Sequence, residues 1–195
     1  MNQKNNQRFQ ETDKRIRSCF AELLTEKDIS KITVNEMCKA VAINRSSFYL
    51  HYQDIYALLE AVCMEVGKEM FEEFETAALE SQMYFSKPYL LIVLRHMKKH
   101  AVLYRAYIRH VGMSSIEKGY QTLFEEIFKP YFRRLGIESE RRMEYHFVFV
   151  KTGFIAVLQQ WLHYGCPETP EELAEIIMQT MAPVPADLPG MQGIK

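Results

Sequence analysis

With 195 residues, 48% of them apolar and 25% charged, the chain has the make-up of an ordinary globular protein and not of a disordered or fibrous one. It holds no apolar run long enough to cross a bilayer, and its polar opening, MNQKNNQRFQETDKR, has neither the apolar segment nor the cleavage site of a secretory leader, so no membrane partner and a cytoplasmic location are expected. The formal net charge of −1 is unevenly spread: residues 1–53 carry nine Lys/Arg against six Asp/Glu, so any polyanion is expected to meet this N-terminal part alone.

Apolar residues recur at spacings of three and four along the whole chain, and no sustained period-two alternation appears, so the fold class expected is all-α. A first helix is predicted from Thr12 to Glu26, with Ile16, Phe20, Leu23 and Leu24 on one face, preceded by an arm over residues 1–11 in which Lys4 and Arg8 could reach a groove. Thr33 and Glu36 form a T-x-x-E capping box that opens a short second helix carrying Val34, Met37 and Val41. A turn is expected around Ala42. Asn44 then caps a third helix through RSSFYLHY, anchored by Phe48 and Tyr52 at i,i+4. Asp54 caps a long helix, IYALLEAVCMEVGKEMFEEFETAALE, with no flexible linker before it.

Further on, Ser86 and Pro88 are read as cap and first turn of YLLIVLRHMKKH, followed by AVLYRAYIRH. SSIEKGYQTLFEEIFKPYFRRLG reads as a helix bent or broken at Pro130 and stopped at Gly136. Ser139 starts a helix that ends at Gly165, and Thr169, Pro170 and Glu172 supply cap, first turn and capping-box carboxylate for the last. The expected division is a head over residues 1–54, a regulatory and dimerisation body over 55–182, and a loosely held Pro/Gly-rich tail over 183–195.

Three helices with a tight turn between the second and third form a helix-turn-helix, whose third helix enters the major groove of double-stranded DNA. Arg45 can fork to a guanine edge, Ser46 and Ser47 are small enough for close approach, and Asn44 can cap or reach a base. Tyr49 and His51 offer donors to phosphates, as do the hydroxyl and free amides at Thr33. A short polar helix taken alone is more often plain solvated surface. The capping box, the turn spacing and the basic head together favour DNA.

The run TVNEMCKAVAINRSSFYLHY followed by DIYALL resembles the N-terminal region of the tetracycline-repressor (TetR/AcrR) family, with its pattern T-x-x-x-I-A-x-x-A-G-V-S-x-x-T-F-Y-x-H-F. The resemblance covers residues 12–62 and is most specific in SFYLHY. It implies a homodimer that binds a pseudo-palindromic operator, represses by default, and carries a helical body that responds to a small-molecule effector. By position, Thr33 and Tyr49 match phosphate-contacting residues, and Arg45, Ser46 and Ser47 match the base-facing start of the reading helix. Three positions depart from the pattern: the turn glycine is Ala42, the serine cap is Asn44, and the phosphate-contacting lysine opening the fourth helix is Ile55. An activator or co-activator working through a partner protein therefore stays open, as does a carrier or enzyme whose head has become structural.

In the body, FVFVKTGFIAVLQQWLHYG is apolar nearly all round, with Phe147, Val150, Phe154, Leu158 and Trp161 on one stripe and Phe149, Gly153, Val157 and Tyr164 on another. One stripe must pack on the chain's own body and the other on a partner subunit. Phe154, Leu158, Trp161, Leu173 and Ile177 are the residues expected at that two-fold interface. The run G-F-x-x-V-L-x-x-W-L-x-x-G…T-P-E-E-L-A is more loosely similar to the branch that includes dihydroxyacetone-kinase operon regulators. Met64, Phe71, Tyr104, Tyr107, Phe124 and Phe128 are expected to line an effector cavity, although each taken alone is more often core.

No nucleophile, P-loop or dinucleotide motif is present, so neither catalysis nor a cofactor is expected. Cys19, Cys38, Cys63 and Cys166 are scattered and read as buried thiols. His96 and His100 stand at i,i+4, but Lys98 and Lys99 lie between them and no H-E-x-x-H accompanies them, so no metal site is expected.

Overall fold

The computed structural model describes residues 3–81, 87–110 and 124–181, and every regular element among them is helical. Helix α1 (Gln3–Glu26), a 3-10 turn (Ile29–Lys31), α2 (Val34–Val41) and α3 (Arg45–Tyr49) build the head. Helix α4 (Ile55–Ser81) leaves it directly and is followed by α5 (Lys87–Lys99) and α6 (Ala101–His110). A π turn (Phe124–Phe128) leads into α7 (Lys129–Arg134), then α8 (Glu140–His163) and α9 (Pro170–Met181). Ser86 and the tail over 183–195 lie outside the described residues.

Most of the expected caps form. Thr33 Oγ1 accepts from the Glu36 amide at 3.2 Å, Asn44 Oδ1 from Ser47 at 2.7 Å and Asp54 Oδ1 from Ala57 at 2.8 Å. Thr169 and Glu172 form a full capping box, with amide-to-side-chain bonds of 3.1 and 2.8 Å in the two directions. Ser139 precedes α8 without a side-chain cap bond.

The first helix starts at Gln3 and not at Thr12. The Thr12 hydroxyl donates to the Arg8 carbonyl one turn back, at 2.8 Å, so it is a side chain inside a helix and the arm is helical too. The break at Pro130 is a local rewinding: without an amide hydrogen, proline fits the first turn of α7, and the preceding residues widen into a π turn.

Three helices end in the same way. After α7 and α8 the chain turns through Gly136 (φ 76) and Gly165 (φ 83), and the next amide, from Ile137 or Cys166, returns to the carbonyl of Phe132 or Trp161. Helix α2 uses the same motif, with the Ile43 amide 3.0 Å from the Cys38 carbonyl, but Ala42 occupies the left-handed position at φ 52, ψ 52.

The described apolar core falls into three clusters. Ile16, Phe20, Met37, Phe48, Leu58 and Leu59 are fully buried at the centre of the head, where α1 to α3 close on the first turns of α4. Leu94, Trp161, Leu162 and Ala174 centre a second cluster between α5, α8 and α9. Phe124, Phe132, Met143 and Phe147 form a third at the start of α8. Helix α6 lies between the first two. Leu103, Ala106 and Tyr107 pack on the head, whereas Ala101, Tyr104 and Ile108 pack on the body. Among the described residues no helix is long and apolar enough to cross a membrane.

Candidate nucleic-acid interface

The short α3 is held from beneath and bare above. Phe48 is fully buried and Tyr52 nearly so, which turns the opposite face outward with Asn44, Arg45, Ser46 and Tyr49 exposed and Ser47 half-buried. Helix α2 is fixed under it by the Arg15 guanidinium of α1, which donates to the Val41 carbonyl. Lys27 pairs with Glu36 near the start of α2 and holds that carboxyl below its usual range. Thr33, at the N-terminus of α2, is exposed beside its free amides.

Arg45 Nη2 donates to Tyr49 Oη at 3.2 Å, and the guanidinium stands 5.9 Å from the Tyr49 ring centre. The two thus present one planar cation and one phenol on the exposed face, one turn apart. The sequence reading overlooked Leu50, which is 75% exposed at the end of α3, and Lys39, exposed at the last turn of α2. The variable x of the pattern F-Y-x-H marked Leu50.

His51 is placed differently from the phosphate-gripping role expected for it. Its side chain is 4% exposed, stacked against Phe9 with ring centres 3.9 Å apart and 21° between planes, and its Nδ1 lies 3.4 Å from Asp13 Oδ1. Asp13 also accepts from the Tyr52 phenol and pairs with Arg17 at 2.7 Å, while Arg17 reaches Glu65 of α4 at 2.6 Å. Burial and the Asp13 contact push the Tyr52 phenol up. The histidine therefore ties the helical arm to α3. The signal for this was Phe9, an aromatic residue in an otherwise polar arm.

Ile55 is buried at the first position of α4, with Asp54 exposed ahead of it, so this end of the head offers an acid and no cation where the family pattern has its lysine.

The six residues expected around one effector cavity are parted. Met64 is 64% exposed, Tyr107 packs on the head cluster, Tyr104 on the second, and Phe124 and Phe128 on the third. Of Phe71 only the backbone, within α4, is described. The five residues expected at a subunit interface sit inside this chain: Leu158, Trp161, Leu173 and Ile177 are buried and Phe154 packs against them. Helix α8 buries one apolar face and exposes another, but Val157 of the second expected stripe packs on the inner cluster, and the buried face is the one that carries the expected interface residues. The outer stripe leaves Tyr145, Val148, Phe149 and Tyr164 exposed, by 68, 52, 81 and 66%. Cys38, Cys63 and Cys166 are buried and Cys19 half-buried, and burial raises the Cys63 thiol to about 12.

A family model described as "Transcriptional regulator C-terminal region" (TetR_C_8) matches residues 86–183. A curated relative, the uncharacterized HTH-type transcriptional regulator YxbF of Bacillus subtilis (strain 168), is 22% identical over 176 residues. That alignment takes in 86% of this chain and 44% of the relative, so the chain spans less than half the length of the curated relative it matches. Among solved structures, the fatty acid degradation regulator FadR from Bacillus halodurans superposes with a TM-score of 0.67 at 14% identity, over 85% of this chain and 95% of that one. The dihydroxyacetone kinase operon activator DhaS superposes with a TM-score of 0.55 at 16% identity, over 87% and 93%. At such identities these two structures speak for the fold. With half of the sequence matched by the family model and the described residues built as a helix-turn-helix head on a helical body, the chain belongs to the TetR family of transcriptional regulators.

Proposed function

We propose that the protein binds a pseudo-palindromic operator as a homodimer, through α3 of each subunit, and that a small effector held in the body alters this binding. The observation that carries the reading is the exposed Arg45–Tyr49 pair on a helix whose other face is locked into the head core. Arg45 reads a base edge, Tyr49 and Thr33 hold phosphates, and Ser46 and Ser47 leave room for the groove wall. Helix α6, packed on both the head and the body, is the element through which an effector would tilt the head, to the extent that it prefers one head spacing. Dimerisation uses the outer stripe of α8 together with Ile176 of α9, beside the groove lined by Pro167, Glu172 and Gln179. Repression is the default the family suggests.

The test is an anisotropy titration on the DNA flanking the protein's own gene, at stated salt, with Arg45→Ala and Tyr49→Ala alongside. Binding should fall steeply with salt. Arg45→Ala should relax sequence preference, and Tyr49→Ala should weaken all duplexes alike. Wild-type protein that binds no duplex at low salt would sink the reading. A second reading, activation through a partner protein, is favoured by buried Ile55 and exposed Asp54, which weaken the phosphate grip at the start of α4. The name of DhaS, an operon activator of the same fold, is in keeping with it.

A further inference from the structure

Outside the head, the most unusual chemistry lies between α4 and α5. His96, near the end of α5, is 5% exposed, and its Nε2 is buried without a hydrogen-bond partner among the described residues. The Val66 backbone of α4 lies within hydrogen-bonding reach of the ring. With Nε2 unpartnered, that contact falls to Nδ1, and a proton held there would leave Nε2 as a lone pair, the arrangement in which a metal-binding imidazole is held by its outer partner. His100, one turn on, also has a buried Nε2 without a partner among the described residues.

The two rings are 4.8 Å apart, centre to centre. Two imidazoles sharing one ion at bonds of about 2.0–2.1 Å and a near-tetrahedral angle have centres about 5 Å apart. A buried ring nitrogen without a hydrogen-bond partner is costly, and two of them one helical turn apart are not accounted for by packing.

The facing helix supplies the anionic complement. Glu69 and Glu73 stand at i,i+4 on α4, both exposed; both act electrostatically on His96, and Glu69 acts on His100 as well. Of the two lysines that argued against a cation here, Lys98 is turned away, with its ammonium 2.9 Å from the Glu168 carbonyl and over the Trp161 ring. Lys99 remains near the pair, and Tyr104 closes the site edge-on at 6.0 Å from His96. Among the described residues no three metal-ligating side chains already meet at one point, so an ion would draw a carboxylate in from solvent.

From this we infer that His96 and His100, with the carboxylate of Glu69 or Glu73, form a seat for a divalent transition ion of the zinc, cobalt or nickel type. Two imidazoles and a carboxylate suit these ions, and a fourth position is left to water. The ion would clamp α4, which runs straight from the head, to α5, which packs on α9. The seat stands on its own. Its use in setting the head rests on the DNA-binding reading above.

The test is calorimetric titration of Zn2+ alone into the full chain, repeated with Co2+ while following visible absorption, and needs no DNA. One equivalent per chain should bind, with a cobalt spectrum free of thiolate charge transfer. His100→Ala should weaken binding by about tenfold or more, as should Glu69→Gln and Glu73→Gln combined. His96→Gln disturbs a buried site, so half-exposed His100 decides: zinc should raise the melting temperature of the wild type and not of His100→Ala. Absence of saturable binding, wild-type affinity in His100→Ala, or a thiolate spectrum each overturns the seat. Wild-type affinity in the double glutamine variant overturns the carboxylate ligand.

Discussion

Arg109, in the last turn of α6, places Nη1 3.0 Å from Oδ2 of Asp28, whose other carboxylate oxygen accepts from the Ser30 amide and caps the 3-10 turn of the head. His110 approaches the same carboxylate at 3.9 Å. The body thus touches the head at a second place besides α4, through a residue that also determines local head structure. Because the pair is exposed, it adds little to global stability, and its consequence is positional.

Arg109→Ala should therefore leave the melting temperature nearly unchanged but speed hydrogen exchange at the amides of Lys31 and Ile32, which close that turn on Asp28 and Ile29. Ser30, through its amide and hydroxyl, and then Arg109 hold the Asp28 carboxyl below its usual range. A lowered folded-state pKa gives stabilisation that is present above the unfolded value and lost as pH falls through the folded one. The difference between wild type and Arg109→Ala should thus be present at neutral pH and vanish on strong acidification. Identical exchange at neutral pH would mean that the pair is no tether.

Ala42 carries the one left-handed backbone among the described residues of the head. The two helices that end in the same motif use glycine, and an alanine Cβ in that conformation costs about 1 kcal/mol. Ala42→Gly should raise stability by about 1 kcal/mol, seen as a higher urea midpoint at unchanged m-value. Since the turn keeps its shape, DNA affinity should not change. A lower midpoint would show that the alanine is unstrained.

How far the sequence could be read depends on the distance over which each feature is set. Thr33, Asn44, Asp54 and Thr169 act within three residues, and their caps form as read. The inward turn of Phe48 follows in the same way from helical periodicity. His51 could not be read locally, because its place is set by Phe9 and Asp13, about forty residues earlier. Trp161, expected at a subunit interface, is buried inside the chain, while Phe149 is exposed, because periodicity cannot say which apolar stripe meets α5 and α9. Tyr107, Tyr104, Phe124 and Phe128, expected around one effector, spread over three clusters for the same reason: an aromatic residue names no partner.

Leu50 separates recognition from folding. At 75% exposure its side chain contributes almost nothing to the head core, so Leu50→Glu should shift stability by no more than about 0.5 kcal/mol. If α3 enters a groove, a carboxylate at its far end meets phosphate, and affinity for every duplex should drop together in the anisotropy assay. A variant that binds like the wild type would place Leu50 outside the interface.

The outer stripe of α8 and the buried stripe beneath it should respond in opposite ways. Phe149 is 81% exposed, so if the outer stripe is a subunit interface, a charge there harms only what docks on the helix from outside; Phe149→Glu should then keep its far-UV spectrum and lose any dimer that the wild type forms. Trp161 is 3% exposed within the cluster of α5, α8 and α9, and its indole donates to the Glu168 carbonyl at 3.3 Å. Trp161→Ala should cost about 3–5 kcal/mol of chain stability through the cavity it leaves. Sedimentation and chemical denaturation of the two variants, run in parallel, decide the assignment. If Phe149→Glu unfolds the chain while Trp161→Ala merely separates subunits, the stripes are exchanged; if Phe149→Glu remains a dimer, the partner docks elsewhere.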